Sequence, residues 1–530
     1  MLARWKGHWH RINGPLMSLA AVVLIGLVYY LGVESERTGF VQEVIDPGFR
    51  KLSDPVLNAF RAKPPAIAHI RIQLDTVAFD SLMVLSMEAF REGHLDGTGS
   101  SVFAGTLIKG TRRVPIVVGL LEGEEREGAR MWPLHVRALP GDTILGMQTF
   151  DVVPVLDETP LWSIVFNAVL KEFGHPTLGE ALSEVDLNDR ELGLCLLQGR
   201  TDATMLAQWS NGNGPVLRFD DAMVRASKVA MAQRLFPSTP PTQGDWASAP
   251  LLMRAGEEIL PMRRARHAID RLEAFRGGKL SAAEVFDVEM VARLLAVCDL
   301  LGTQSAMDWW DLQFLVDSIS GKLVPVAPHL NTHAPIRSIQ GAMVVGNELM
   351  NIPGRELATH FLLDATILAN YLAYLDTFSN MGNWQDMLAR TAGTWEPARK
   401  VVHAEFPRSD LDTTILAHDR AVIHQTLWPN DLVLAYMRDE QIGKSGVAVA
   451  NVHSLPVEIV GLIYPDRDTV HFASPIQLAA HLKDRPLTYT TVPLTGGRPS
   501  DKPIAIVARV SAALAMRAVP IRMWTTLGAN

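Results

Sequence analysis

Residues 307–331 read MDWWDLQFLVDSISGKLVPVAPHLN and predict a β-hairpin. Residues 311–317 alternate apolar and polar side chains, 318–321 supply turn residues, and 322–327 form a second apolar run. Polar side chains gather where the chain leaves the second strand. Because functional residues often lie where strands give way to loops, this end is a candidate site. A core hairpin with a polar rim is the alternative.

The composition is that of a globular protein. The chain has 530 residues, of which 48% are apolar and 20% are charged, so a large core is expected and long disorder is not. The net charge of −8 makes nucleic acid an unsuitable partner. Only Cys195 and Cys298 occur, which leaves open whether they form one disulfide or remain two buried thiols.

The stretch from Leu16 to Val33 carries no charge and is long enough to span a bilayer. Arg4, Lys6 and Arg11 precede it, so the positive-inside rule leaves residues 1–15 in the cytoplasm. These features predict a single-pass anchor that contacts the membrane and places the bulk of the chain in the periplasm. A cleaved signal peptide and a buried core helix are the alternatives.

The pattern of periodicity divides the rest of the chain. A proline-rich linker at 34–65 is followed by strand-like runs to about residue 220 and by helical periodicity from 221 to 430. Residues 431–530 return to short strands and predict a small β-sandwich. We therefore expect an α+β domain at 66–430 and a β-rich domain after it.

Motifs for common chemistries are absent or weak. The sequence has no phosphate-binding GxxxxGK[ST] loop, no HExxH and no GxSxG. His329 and His333 have helical spacing for zinc, but Pro328 and Pro335 make a helix there doubtful. A carboxylate pair at 308 and 311 would lie on opposite faces of a strand.

Several short motifs occur in an order that resembles the spore-coat-protein-H (CotH) kinase-like family, atypical relatives of protein kinases. They are Val114-Pro-Ile-Val, Leu121-Glu-Gly-Glu, Leu145-Gly-Met-Gln-Thr-Phe150, Leu187-Asn-Asp-Arg-Glu-Leu-Gly193, Gly214-Pro-Val-Leu-Arg-Phe-Asp220, Trp310-Asp-Leu-Gln-Phe and Val324-Pro-Val-Ala. The resemblance implies a bilobal, protein-kinase-like domain with a β-rich first lobe at 66–220 and a helical second lobe at 221–430.

The chain departs from this family at the positions that would handle ATP. Glu122 stands where the family has a lysine, Gln148 replaces another lysine, and Gln198 replaces an acidic residue. Asp311 stands at the place of an asparagine, and His329 at the place of an aspartate that would hold the metal. Phosphoryl transfer needs cations against the triphosphate and hard oxygen ligands for Mg²⁺. The resemblance therefore implies a site that has lost its chemistry.

The expected function is a membrane-anchored, non-catalytic binding or scaffolding module of the cell envelope, without a cofactor or metal. Envelope or polysaccharide assembly is the expected process. Its partner would be another envelope protein or a glycan, and not nucleic acid. The positions that correspond to the family's site are Glu122, Gln148, Gln198, Asp308, Asp311, His329 and Asn331.

Two alternatives remain. An active atypical kinase would use Asp308 and Asp311 with ATP and Mg²⁺. A hydrolase of envelope polysaccharide would use Asp308, Asp311 and His329.

Overall fold

The computed structural model describes most of residues 65–523. The residues left out within this range are 96–100, 125–130, 157–158, 203–204, 207–208, 210–214, 225, 227–245, 247, 256–257, 260–265, 318, 331–332, 346–347, 407–410, 438–445, 466–468, 483–484 and 495–501. The predicted anchor from Leu16 to Val33 lies outside the described residues. No helix within the described ranges is long and apolar enough to cross a membrane.

A closed seven-stranded barrel forms the first part of the described chain. Its strands are β1 (Ala68–Leu74), β2 (Phe103–Lys109), β3 (Arg112–Leu120), β4 (Leu134–Ala138), β5 (Thr149–Pro154), β6 (Glu180–Leu187) and β7 (Arg190–Gly199), in the order β1-β2-β3-β4-β5-β7-β6. The strands pair antiparallel except where β1 meets β6 in parallel and closes the barrel.

This barrel overturns the predicted kinase-like first lobe. The alternation of apolar residues identifies strands, but it does not reveal which strands become neighbours. The parallel pairing of Ala68 with Ser183 joins strands far apart in the sequence and removes both edges of the expected open sheet. The bilobal kinase-like fold class is therefore wrong for this chain.

Helix α1 (Thr76–Glu92) packs on the barrel core. Asp75 begins it by accepting a hydrogen bond from the backbone N–H of Ala78, and Gly93 ends it at a φ of 72°. Leu82 is fully buried on its inner face. Helix α1 thus buries apolar barrel residues that the strands leave uncovered.

A five-stranded sheet and a set of helices follow the barrel. The sheet contains β8 (Val216–Phe219), β9 (Leu251–Ala255), β10 (Glu258–Ile259), β11 (Gln313–Val316) and β12 (Leu323–Val326), in the order β10-β9-β8-β11-β12. The predicted hairpin is confirmed, because β11 and β12 pair antiparallel across the expected turn. Phe314 is fully buried in it. Trp310 is half-buried, and the side chain that is buried in the core is that of its neighbour Trp309.

The helices around this sheet share one large apolar core. They are α2 (Thr159–Glu172), α3 (Arg266–Arg276), α4 (Ala282–Val285), α5 (Val288–Leu300), α6 (Gln340–Val345), α7 (Glu356–Leu363), α8 (Ala365–Ser379), α9 (Met381–Glu405) and α10 (Thr413–Leu427). Cys298 on α5 and Cys195 on β7 are both free and buried, so they do not form a disulfide.

The last strands form two four-stranded sheets. The strands are β13 (Val433–Met437), β14 (Gly446–Asn451), β15 (Val457–Ile463), β16 (Thr469–Leu478), β17 (Thr490–Pro493), β18 (Ala505–Val510), β19 (Arg517–Pro520) and β20 (Arg522–Met523). One sheet has the order β17-β14-β13-β20 and the other has the order β16-β15-β18-β19.

Candidate functional site

A row of polar side chains crosses four neighbouring barrel strands. Directly paired positions in β4, β5, β7 and β6 are His135, Asp151, Gln198 and Glu180, which we call the polar row. Residues opposite each other on antiparallel strands point to the same face. Phe150 and Val152, on either side of Asp151, belong to the barrel core. The polar row therefore lies on the outer face of the barrel.

Asp151 is the charged centre of one end of the polar row. His135 Nδ1 lies 2.8 Å from one of its carboxylate oxygens, and Arg200 Nε lies 2.5 Å from the other. Burial alone would raise the pKa of Asp151, but Arg200 and His135 outweigh burial and hold the pKa below its usual range. This carboxylate is thus ionised and already balanced by its two neighbours.

Glu180 is the centre of the other end. Ser163, on α2, donates a hydrogen bond to Glu180 Oε1 at 2.6 Å, and His329 Nδ1 lies 3.0 Å from the same oxygen. His329 Nε2 lies 2.6 Å from the backbone carbonyl oxygen of Gly199. The backbone N–H of Leu330 donates to the Ser163 hydroxyl at 3.4 Å. These contacts tie the segment after β12 to the barrel.

The partners of His329 define its charge. A carboxylate and a backbone carbonyl only accept hydrogen bonds, so both ring nitrogens must donate. A histidine that donates from both nitrogens carries two ring protons and a positive charge. When both of its nitrogens are protonated, His329 forms an ion pair with Glu180 in a place where its side chain is only 14% exposed.

Backbone contacts hold these side chains in register. Ala327 donates its N–H to the carbonyl of Pro176 at 2.9 Å, and it forms a parallel bridge with Thr177 just before β6. Gly199 lies so close to the backbone at Gly179 that a Cβ on Gly199 would stand 2.9 Å from the Gly179 carbonyl oxygen. A glycine at 199 therefore permits the close approach that exposes its carbonyl to His329.

The structure brings some of the sequence-predicted site residues together. Gln198 is half-buried in the polar row, and His329 contacts its neighbour Gly199. Gln148 precedes β5, and its backbone N–H donates to Asp202 at 2.9 Å. Gln313 on β11 accepts a hydrogen bond from the Thr201 hydroxyl at 2.5 Å.

Two of the sequence-predicted residues are not brought to this site. Glu122 is exposed just beyond β3, and Asn331 lies outside the described residues.

Asp308 and Asp311 precede the hairpin. Arg355 Nε lies 2.7 Å from Asp308 Oδ1, and both side chains are largely buried. Gly354, at a φ of 89°, allows this approach, because a Cβ there would stand 2.8 Å from the same oxygen. Asp311 is half-buried and donates its backbone N–H to the Asp308 carbonyl. The Asp308 carboxylate is therefore held beside a cation at the start of the hairpin.

His333 does not form a zinc pair with His329. Its ring stacks on Trp162 with centroids 3.7 Å apart and planes 15° apart. His329 uses both nitrogens on Glu180 and Gly199. In the described ranges, no three His, Cys, Asp or Glu side chains gather in a way that could hold a metal ion.

Sequence reasoning missed His135, Asp151, Arg200 and Glu180. A signal was present for Asp151, because a carboxylate inside the apolar run Thr149–Pro154 needs a partner when the strand is buried. His135 likewise interrupts the apolar alternation of β4. The missing information was the register that places these residues side by side.

The comparisons with known proteins found partial similarity to methionyl-tRNA formyltransferases. The chain is 31% identical over 121 residues to the one from Saccharopolyspora erythraea, and 29% identical over 119 residues to the one from Mycobacterium avium. The enzyme from Mycolicibacterium paratuberculosis is 28% identical over 119 residues. These alignments cover 22% of this chain and 37–38% of the relatives. No protein family model matches the chain.

Proposed function

We propose that the protein is a non-catalytic binding or scaffolding module, whose short motifs resemble those of the CotH kinase-like family although its barrel does not share the kinase-like fold. The observation that carries the proposal is the ion pair of His329 with Glu180. At the position where the resemblance calls for a metal-holding aspartate, the chain has a histidine whose two ring nitrogens are both engaged.

Charge explains why this arrangement opposes phosphoryl transfer. Mg²⁺ prefers hard oxygen ligands, and an imidazolium offers neither a lone pair nor a negative charge. A second cation placed beside His329 would be repelled. Glu180 Oε1 already accepts from Ser163 and lies 3.0 Å from His329 Nδ1, so a metal ion at this oxygen would have to displace the ring.

The other departures act in the same direction. Gln148 and Gln198 are neutral amides, so neither compensates the negative charge of a triphosphate. Asp308, which the alternatives use as a catalytic group, is paired with Arg355. Each unpaired charge is costly to remove from water, so a triphosphate would bind poorly here.

Formyl transfer to methionyl-tRNA is a second candidate, favoured by the partial similarity to formyltransferases. Two facts weigh against it. The similarity covers less than two-fifths of those enzymes, and the net charge of −8 opposes binding to an RNA. Formylation of methionyl-tRNA by the purified protein above a protein-free control would favour this candidate over the binding module.

The cell-envelope location and a protein or glycan partner stay predictions from the sequence. They depend on the residues before Pro65, which the structure does not describe.

Calorimetric titration with Mg²⁺-ATP tests the proposed function. We expect weak binding or none, and we expect Gln148→Lys to recover little, because charge and metal sites act as a unit. The matched control is Gln477→Lys, which places the same charge on the exposed strand β16. Low-micromolar binding by the unmodified protein would overturn the proposal.

A further inference from the structure

We propose that Glu180 and the carbonyl of Gly199 form a subsite for an organic cation, a guanidinium or a primary ammonium group. The imidazolium of His329 occupies this subsite in the structure. The inference rests on the proposed function, because it takes the region as a binding site and names the chemical class that the site accepts.

The chemistry of Glu180 and Gly199 determines which ligand can bind. The Glu180 carboxylate and the Gly199 carbonyl both only accept hydrogen bonds, and one N–H donor of His329 reaches each. Ser163 donates to Glu180 and so fixes the carboxylate in place without neutralising it. A negative group with two acceptors in fixed positions selects a cation that has at least two N–H donors.

One oxygen of Glu180, Oε2, receives no hydrogen bond from His329. Glu180 Oε2 is buried and has no hydrogen-bond partner among the residues described, and the side chain is only 3% exposed. A buried acceptor without a partner costs free energy. A guanidinium has five N–H donors in a fork that can meet both oxygens of one carboxylate. Such a group would satisfy Oε2 in addition to the acceptors that His329 uses.

The other carboxylate of the polar row, Asp151, is not available to a ligand cation. Asp151 is already paired with Arg200 and His135, so it has no charge left to balance. Glu180 has only His329 as a cationic neighbour among its ion pairs in the described chain. Arg200 and His135 remain partly exposed, so the polar row reaches the surface at that end. A ligand cation must displace His329 to reach Glu180, because the ring already contacts both acceptors.

Chemical rescue tests the subsite. We expect His329→Ala to lower the thermal unfolding midpoint, and millimolar imidazole at pH 6 or methylguanidinium to raise it again in a concentration-dependent way. Imidazole is mostly protonated at pH 6. Pyrazole, which has nearly the same shape but is neutral, should restore much less. The wild-type protein should respond little to any of the three.

Two variants give the controls. His329→Ala combined with Glu180→Gln should lose the rescue, because the charge that attracts the cation is gone. His471→Ala, on the exposed strand β16, removes an imidazole elsewhere and should show no rescue. If His329→Ala does not fold, His329→Ser replaces it, since its small side chain also leaves the space of the ring open.

The outcomes separate this inference from the proposed function. Equal stabilisation by pyrazole would reveal a shape-filling cavity and overturn the cation subsite. Rescue that survives Glu180→Gln would also overturn it, and so would stabilisation of His329→Ala by Mg²⁺ but not by organic cations. None of these results requires binding of Mg²⁺-ATP, which is the result that would overturn the proposed function.

Discussion

At the residue scale, the sequence could single out residues by comparison with a family that it resembles, but it could not identify their partners. His329 and Gln148 stood out because they differ from the family's pattern in charge. The partner of His329 could not be predicted, because Glu180 lies 149 positions away in the sequence. That contact depends on the register of β6 and β7 and on the bridge between Thr177 and Ala327.

Asp419 gives a prediction at the same scale. It is fully buried on α10, and its Oδ1 accepts from the backbone N–H of Ile336 at 2.9 Å. Burial raises the pKa of Asp419 from 3.8 to about 6, although that hydrogen bond and His418 act in the opposite direction. A carboxyl pKa that is higher in the folded state favours the protonated form. The free energy of unfolding from this group therefore falls as pH rises from about 4 through 6.

Asp419→Asn removes this dependence. Relative to the wild type, the variant should gain about 2 kcal/mol of stability between pH 4 and pH 7, since each pKa unit is about 1.4 kcal/mol and part of the effect lies below pH 4. Urea unfolding of both proteins across this range measures the difference. A difference that stays constant with pH would mean that Asp419 does not titrate as the structure implies.

At the element scale, the alternation of apolar residues and the turn residues predicted some strands and helices but not where each one begins and ends. The hairpin of β11 and β12 and the strand pair β6 and β7 follow from alternation and turn residues. Residues 282–301 look like one helix, but the structure divides them into α4 and α5. Ser281 and Glu284 form a capping box at α4, and Asp287 begins α5. Closure of the barrel left no local signal, because it depends on a parallel contact between distant strands.

The hairpin makes a prediction about stability. Phe314 is fully buried, with ring centroids 5.2 Å from Phe286 and 6.3 Å from Phe219. Phe314→Ala should lower the free energy of unfolding by about 3–5 kcal/mol, because it leaves a cavity in the core. Ile319→Ala, in the turn where the side chain is 88% exposed, is the matched control and should change it by less than about 0.5 kcal/mol. Similar effects of the two variants would place the hairpin outside the core.

At the scale of the whole molecule, periodicity predicted the sequence of β-rich, helical and β-rich parts. It failed on architecture, because strand order and closure depend on contacts between residues that are remote along the chain. The polar row shows the same limit. His135, Asp151, Gln198 and Glu180 are scattered from residue 135 to residue 198, and only the barrel aligns them. The resemblance singled out His329 and Gln198, whereas their contacts with the barrel depend on the register.

Phosphate transfer is the measurement that tests the central claim most directly. The purified protein is incubated with Mg²⁺ and ATP that carries a labelled terminal phosphate, together with protein and glycan acceptors. The account predicts no label on any acceptor or on the protein itself above the level of a protein-free control, because His329 forms an ion pair with Glu180 where a metal ligand would be needed. Transfer of label at a rate that Asp311→Ala abolishes would contradict the account and identify an active kinase.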